Sequence, residues 1–581
     1  MTTSAAEKTA AAFTPEQEKA LVAWTKKYPY SNMGLVEALR SVQDWHRQIR
    51  PEAAARVAEL FGLPFSHVWG VATFFPTFTQ WKTGKNRIGL CHGLSCWMGG
   101  SDRAEKCLTE KLGVPEKQAT PDGKFSWETM ECLGACEQAP ALLVDDKLVG
   151  AATDENIAKV LAGGAVASLK ADTPAPGPIL TKHFGDAKLH ELETYRKLGG
   201  YAAYEKALAM TPAEVTAEVK KSNLRGLGGA GFPTGMKWET VPPVEKAPTR
   251  YFVVNADESE PGCYKDRVLL TRNPHQLIEG VLIGAHAISA ADAFIFIRGE
   301  YQNQYEILEK ALAEADKAGL FKKTKVSLMR GAGAYISGLD TALLETMEGK
   351  KAWPRQPPPF PTVAGLMAKP TVVNNVETVS MLPFIVREGG EAFAKLGSAK
   401  NGGTVLFSIS GHVEKPGVYE VPMGSTLRSV LALAGGVKGG RKLKAVIPGG
   451  TSMPPLLEKD LDVMLDFDAI RAAGTFLGAG GMIVLDDSVD AAEVVFNVER
   501  FLAHESCGQC TPCREGSFWT ERIMHRLLHG EGVTEDLANL KRVGENITGK
   551  VICALGDTVG MVTRAWLGKF PEDFEKKVKR G

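Results

Sequence analysis

The segment Glu505-Ser-Cys507-Gly-Gln-Cys510-Thr-Pro-Cys513-Arg-Glu-Gly516 sets three cysteines at C-x2-C-x2-C spacing, and Cys553 follows later in Val-Ile-Cys-Ala-Leu-Gly. Two such steps can wrap three thiolates around a cubane, and a distant fourth completes the set that a [4Fe–4S] cluster requires. Zinc also takes four cysteines, but three ligands packed this tightly are less usual for a tetrahedral ion. A second set, Cys91-x4-Cys96 and Cys132-x3-Cys136, has unequal loops at strand ends. That spacing suits a binuclear [2Fe–2S] centre with two cysteines per iron. Its rivals are a zinc site and plain burial of small hydrophobic thiols. Cys107, in a polar helix, has no partner spacing and reads as a bystander.

Arg225-Gly-Leu-Gly-Gly-Ala-Gly-Phe-Pro-Thr-Gly-Met-Lys-Trp238 offers a different chemistry. Glycines 226, 228, 229, 231 and 235 allow a loop to turn several N–H groups onto an anion, and Lys237 supplies a countercharge. The bland reading is a tight turn. A Rossmann site is disfavoured because a polar helix, not a strand, precedes the loop, and a Walker site because Trp238 follows the lysine. Three further stretches could join it: Tyr251–Asn255 running into Ala-Asp257-Glu258-Ser-Glu260-Pro-Gly, Arg330-Gly-Ala-Gly-Ala-Tyr335-Ile-Ser-Gly338, and Thr371-Val-Val-Asn374-Asn375-Val-Glu-Thr378. Asn255, Asp257, Glu258 and Glu260 could receive hydroxyls of a ribityl or ribose chain.

The elements that must carry these residues read as several domains, since 581 residues exceed one core. Acidic and basic residues cancel at 68 each, so bulk charge indicates neither a nucleic-acid nor a membrane-surface partner. No run is long and apolar enough to span a bilayer, and the N-terminus lacks a signal peptide, so a cytoplasmic protein is expected, with tight cysteine spacings read as ligands. Residues 1–13 read as a disordered lead and 14–80 as helices punctuated by Pro15, Pro51 and Pro64. From 81 to 170 comes a small α/β domain, in which strand Asn86–Cys91, a helix over Ser101–Leu112 and a hairpin turning at Asp145-Asp146 place four cysteines at one end. The Pro-rich stretch from Ala171 to Pro178 opens a linker over 171–206, and Tyr195–Met210 and Pro212–Lys221 read as helices. Strands and helices alternate over 207–400. A β-grasp-like domain follows over 401–485, read as a packing or docking module, and a helical bundle over 486–581 presents the C-terminal cysteines.

Segment by segment, the glycine loop, the acid loop, Arg330–Gly338 and Thr371–Thr378 resemble the flavin subunit of respiratory NADH dehydrogenase (complex I) and of NAD-reducing hydrogenases and NAD-dependent formate dehydrogenases. The N-terminal part, with Gly134 and Pro140 in its C-x-G-x-C…P texture, is similar to the thioredoxin-like [2Fe–2S] subunit that partners it. The resemblance therefore implies a fusion of the two subunits: multidomain α/β, with N-terminal helices, a thioredoxin-like [2Fe–2S] domain, an FMN-binding α/β domain, a β-grasp-like (SLBB) insert and a C-terminal helical [4Fe–4S] bundle. It implies FMN on Gly226, Gly228, Gly229, Lys237, Asn255, Asp257, Glu258, Tyr335, Asn374, Asn375 and Thr378. NAD would meet Phe232, Glu260, Asp340 and Phe360, with Glu260 beside the reaction. Cys91, Cys96, Cys132 and Cys136 would hold [2Fe–2S], and Cys507, Cys510, Cys513 and Cys553 [4Fe–4S].

The implied activity is an NADH:acceptor oxidoreductase, a diaphorase module in which FMN stands between a two-electron donor and one-electron clusters. Its partner would be a further iron–sulfur subunit, of complex I, a hydrogenase or a formate dehydrogenase. Two departures fall on the nucleotide side: Leu339-Asp340 replaces an acidic pair, and Pro357 replaces a lysine ahead of Phe360. They favour an alternative, an FMN and iron–sulfur scaffold that uses NADP(H) or a ferredoxin-type partner.

Overall fold

The computed structural model describes residues 13–164, 173 and 177–579. The lead before Phe13 and most of the Pro-rich linker lie outside the described residues. Three four-stranded sheets organise the described residues.

The first holds β1 (Asn86–Cys91), β2 (Phe125–Met130), β3 (Leu142–Val144) and β4 (Lys147–Val149) in the order β2-β1-β3-β4. β1 runs parallel to β2, while β3 and β4 form an antiparallel hairpin. Asp145 and Asp146 turn it with φ of 46° and 66°, the left-handed pair that a two-residue hairpin matching strand twist requires. Among the described residues four α-helices precede this sheet: Pro15–Lys27, Leu35–His46, Pro51–Phe61 and Phe65–Ala72. The first starts where Thr14 and Gln17 cap each other reciprocally and Pro15 fills a position that needs no donor.

The second sheet is wholly parallel: β5 (Tyr251–Ala256), β6 (Asp292–Ile297), β7 (Lys325–Arg330) and β8 (Thr371–Asn375), ordered β7-β6-β5-β8. Its strands are near-continuous apolar runs because helices cover both faces. One of these, Pro274–Ala287, approaches so closely that a Cβ on Gly284 would lie 2.4 Å from the Phe252 ring. The chain passes from β5 through β6 to β7 on one side, then crosses back to place β8 on the other side of β5. The C-terminal crevice between β5 and β8 is therefore a topological switch point, where open α/β sheets bind ligands.

The third sheet, β9 (Thr404–Gly411), β10 (Gly417–Pro422), β11 (Leu443–Ile447) and β12 (Gly481–Asp486), is ordered β10-β9-β12-β11, with β9 and β12 parallel between antiparallel edges. Helices Ala491–His504, Thr511–Leu528, Thr534–Ile547 and Ala554–Lys569 pack together after it.

Two expectations read differently in the structure. Residues 177–206, taken as linker, bind as a strap: the N–H groups of Ile179, Leu180 and Thr181 donate to the buried Glu420 carboxylate of β10 at 2.9–3.1 Å. Phe184, Leu189 and Tyr195 are buried with them. The helix expected over Tyr195–Met210 is two helices, Leu192–Lys197 and Ala202–Ala209, because Gly199 and Tyr201 turn left-handed at φ of 87° and 67°.

Candidate active site

The glycine loop lies against the β8 side of the switch point. Leu227 N–H donates to Thr378 Oγ1 at 2.9 Å, Trp238 Nε1 to Asn374 Oδ1 at 3.0 Å, and Lys237 Nζ to the Val373 carbonyl at 2.6 Å. Asn375 supports it from below: its Oδ1 caps the helix Val376–Ser380, its Nδ2 donates to Asp266 at 2.6 Å, and its Cβ would sit 2.9 Å from a Cβ on Gly228. Gly229 turns at φ 120°, reserved for glycine. The nearest atoms to a Cβ on Gly226 or Gly229 are 3.6 and 3.7 Å away, ordinary van der Waals distances, so these two glycines are less crowded than Gly228.

The acid loop leaves β5 opposite. Asn255 Nδ2 donates to the Gly338 carbonyl at 2.7 Å, tying it to the loop after β7. Asp257 is buried, bonds Ser259 through Oδ1, and leaves Oδ2 without a hydrogen-bond partner; burial pushes its carboxyl up to about 7. An orphaned buried carboxyl oxygen calls for a donor, and it fits ligand hydroxyls such as those of the FMN ribityl chain. Glu258 has another task. Its oxygens accept the Asp266 and Arg267 N–H groups at 3.0 Å and the Tyr301 hydroxyl at 3.1 Å, so it caps the helix Lys265–Arg272 instead of turning to the crevice.

Glu260 receives Tyr335 OH at 2.6 Å, Ser452 N–H at 2.8 Å and Ser452 OH at 2.8 Å, and burial raises its pKa. Ser452 and Thr451 stand just beyond β11, on the domain read as a packing module, and nothing in their local sequence marked them as site residues. The Gly449-Gly450 pair was the available signal: a Cβ on Gly450 would come 2.2 Å from Glu260 Cγ.

Phe232 and Phe360 are 51 % and 62 % exposed, flat apolar surfaces open to solvent. A Thr240–Thr362 hydroxyl bond of 2.8 Å sets their two short helices together. Asp340 is ion-paired to Lys237 at 3.0 Å. The expected phosphate countercharge and the expected ribose acceptor thus neutralise one another. Leu339, the residue read as replacing the first of an acidic pair, packs against the apolar core.

The C-terminal cysteines converge. Cys510 starts the helix Thr511–Leu528, Cys513 lies in its first turn, and Cys553 starts the helix Ala554–Lys569. Ile552 N–H donates to Cys510 Sγ at 3.4 Å, and Ser506 contacts Cys513 Sγ at 3.3 Å. Cys553 is raised to about 11, by burial first and then by the charges of Cys507 and Cys513. Tyr335 joins this set to the crevice: its N–H donates to Glu505 at 2.8 Å, and its ring meets Phe501 at 5.0 Å.

Cys91, Cys96, Cys132 and Cys136 are all buried, with Cys132 Sγ and Cys136 Sγ 3.8 Å apart. Two sulfurs bound to one tetrahedral metal at about 2.3 Å stand about 3.8 Å apart, so the pair fits a shared ion. Contacts with Cys136 and Cys91 draw the Cys132 thiol well below its ordinary range. Two buried arginines hold this loop on the second sheet: Arg298 donates to the Cys132 carbonyl at 2.7 Å and the Glu258 carbonyl at 2.6 Å, and Arg267 to the Gly134 carbonyl at 2.8 Å. Arg267 also pairs with Glu137. Sequence reasoning passed over both, because arginine after a strand or in a helix carries no distinctive spacing. All ten cysteines are free thiols, and Cys107 joins neither set.

Comparison with known proteins matches four family models: the thioredoxin-like [2Fe–2S] ferredoxin over residues 21–164, the Nuo51 FMN-binding domain over 219–383, the SLBB domain over 406–456, and the NADH-ubiquinone oxidoreductase-F iron–sulfur binding region over 493–577. The chain is 48 % identical to the second F-type subunit of NADH-quinone oxidoreductase from Rhizobium meliloti, over 68 % of its own length and 96 % of the relative. It is 44 % identical to the F-type subunit from Aquifex aeolicus over 69 % and 95 %. A chain of an NAD+-reducing [NiFe]-hydrogenase in the H2-reduced state superposes with a TM-score of 0.84 at 29 % identity, over 94 % of both chains. The hydrogenase chain thus covers the N-terminal [2Fe–2S] part as well. With 96 % of the Rhizobium relative aligned at 48 % identity, the chain belongs to the family of F-type subunits of NADH-quinone oxidoreductase.

Proposed function

We propose that this chain is the electron-entry module of a larger oxidoreductase, taking electrons from NADH and passing them singly to an iron–sulfur partner subunit, or running in reverse to reduce NAD+. The observation that carries this reading is the junction at Tyr335, which bonds Glu260 on the crevice side and Glu505, two residues before Cys507, on the other. Bound FMN supplies the chemistry that the side chains lack, accepting an electron pair from nicotinamide and releasing electrons one at a time.

The protein's own residues position and insulate. The backbone of Gly228 and Gly229 would take the FMN phosphate, with Gly226 closing the loop through its N–H bond to the Phe232 carbonyl at 2.9 Å. Asn255, Asp257, Asn374, Asn375 and Thr378 would fix the ribityl chain and ring, with Lys237, paired to Asp340, at the rim. Phe232 and Phe360 would receive the stacked rings of the dinucleotide, and Glu260, pinned by Tyr335 and Ser452, would orient the nicotinamide amide. Asp340, its side chain 40 % exposed, would accept a ribose hydroxyl but shares its charge with Lys237, which supports a weaker hold on the adenosine end. Cys507, Cys510, Cys513 and Cys553 would bind the exit cubane, and Cys91, Cys96, Cys132 and Cys136 the binuclear centre. Among the described residues no helix is long and apolar enough to cross a membrane. Two sets of free thiols at ligand spacing support a reducing, cytoplasmic site, and the module would work within a hetero-oligomer.

The test is anaerobic stopped-flow with the FMN-loaded chain. Bleaching of the flavin band by NADH at least about tenfold faster than by NADPH is expected. Bleaching by NADPH alone would move the specificity, and a flavin silent to both yet reduced by a ferredoxin would replace this reading with the scaffold alternative.

A further inference from the structure

Beside the first cysteine set lies a cluster that electron transfer does not use. His92 follows Cys91 at the end of β1, and Asp102 and Glu105 stand three apart on one face of the helix Ser101–Leu112. One ligand atom from each of the three lies within 4.8 Å of the others. His92 is 7 % exposed, and its Nε2 makes no hydrogen bond although Glu105 Oε2 is 3.3 Å away. A buried ring nitrogen aimed at two carboxylates without a bond to either calls for an explanation.

The ring is also pre-positioned. Its backbone N–H donates to the Met130 carbonyl at 3.0 Å, and its carbonyl accepts Asn497 Nδ2 at 3.1 Å from the C-terminal bundle. Glu116 and Arg500 are the other charged groups facing the cluster. Glu116 is held by Thr129 through N–H at 2.9 Å and hydroxyl at 2.7 Å. Three carboxylates against one guanidinium leave an excess matching the charge of a divalent cation.

We propose that His92, Asp102 and Glu105 form a binding site for a first-row divalent cation of the zinc class. One imidazole with two carboxylate oxygens suits zinc, manganese or ferrous iron better than calcium or magnesium, which favour all-oxygen shells. Three protein ligands leave a position for water. Asp102 and the half-exposed Glu105 form the entry, and buried His92 fixes the depth. The cation sits one residue from Cys91, so its charge favours the reduced state of a [2Fe–2S] centre held there and gives the cell's metal supply a hold on that centre.

The experiment uses the full chain with clusters loaded and iron counted, stripped of loosely held metal, then dialysed against Zn(II). About one zinc per chain is expected above the iron, with affinity at least about tenfold lower in an Asp102→Asn/Glu105→Gln variant of unchanged iron content. Mn(II) in place of zinc should speed the relaxation of the dithionite-reduced [2Fe–2S] EPR signal in the unaltered chain and leave the variant's signal alone. Because both substitutions lie at the surface, folding is not at risk. Equal zinc binding by the two proteins, or none by either, overturns the proposal, and neither outcome bears on NADH oxidation.

Discussion

Asn375 shows how much of this site rests on single atoms. It caps one helix, anchors Asp266 and backs Gly228, so any group added at Gly228 must displace it. Gly228→Ala brings a Cβ to 2.9 Å from Asn375, an overpacking that costs about 1–3 kcal/mol. FMN should therefore bind about tenfold to a hundredfold more weakly, measured by recovery of free-flavin fluorescence on dilution. Cys510→Ser tests the other chemistry: the iron content should fall by about four per chain while NADH still bleaches the flavin. Loss of flavin with the iron would show that the two sites fold as one. At this scale the cysteines were the most legible residues, because ligand spacing is written along the chain. The glycine loop was legible as backbone, and its Lys237–Asp340 pair was not, since the two residues lie far apart in sequence. Glu258 illustrates the converse: its place in the acid loop suggested a ligand, and only the fold shows the helix it caps.

At the scale of elements, helices Ala491–His504 and Ala554–Lys569 meet across Glu499. Its Oε1 accepts Thr563 OH at 2.6 Å, its Oε2 has no hydrogen-bond partner, and burial pushes its pKa up to about 8. In the unfolded chain a glutamate titrates near about 4.3, so between that pH and about 8 the folded state holds the extra proton. Stability from this group is complete at low pH and drains away as pH rises through the folded value. Glu499→Gln, which keeps a donor and acceptor without the charge, should gain on the unaltered protein by about 2 kcal/mol between pH 6 and pH 8. The gap in thermal midpoint should widen accordingly; a gap that narrows would contradict burial as the cause. Elements themselves were largely readable: β1 and the helix Ser101–Leu112 run over the residues expected for them. The strap at 177–206 was not, because what fixes it is Glu420, more than two hundred residues downstream.

For the whole molecule, the decisive arrangement is the seating of the first cysteine domain on the parallel sheet. Arg298 reaches the Cys132 and Glu258 carbonyls and pairs with Glu300 at 2.9 Å, all buried. Breaking a buried pair of this kind costs about 3–5 kcal/mol, so Arg298→Ala should lower the thermal midpoint and release iron first from the [2Fe–2S] centre. Retention of both would remove the arginine from the docking account. The domain order could be read from motifs in sequence; which face of each domain meets the next could not, since those contacts are carbonyls and single arginines. In the proposed function this chain carries electrons from NADH through its crevice to both cysteine sets. The direct measurement is low-temperature EPR of the FMN- and cluster-loaded chain, frozen anaerobically after NADH is added. The account predicts signals from a reduced [4Fe–4S] and a reduced [2Fe–2S] cluster alongside the bleached flavin. Bleached flavin with both clusters still oxidised, or no bleaching at all, would contradict it.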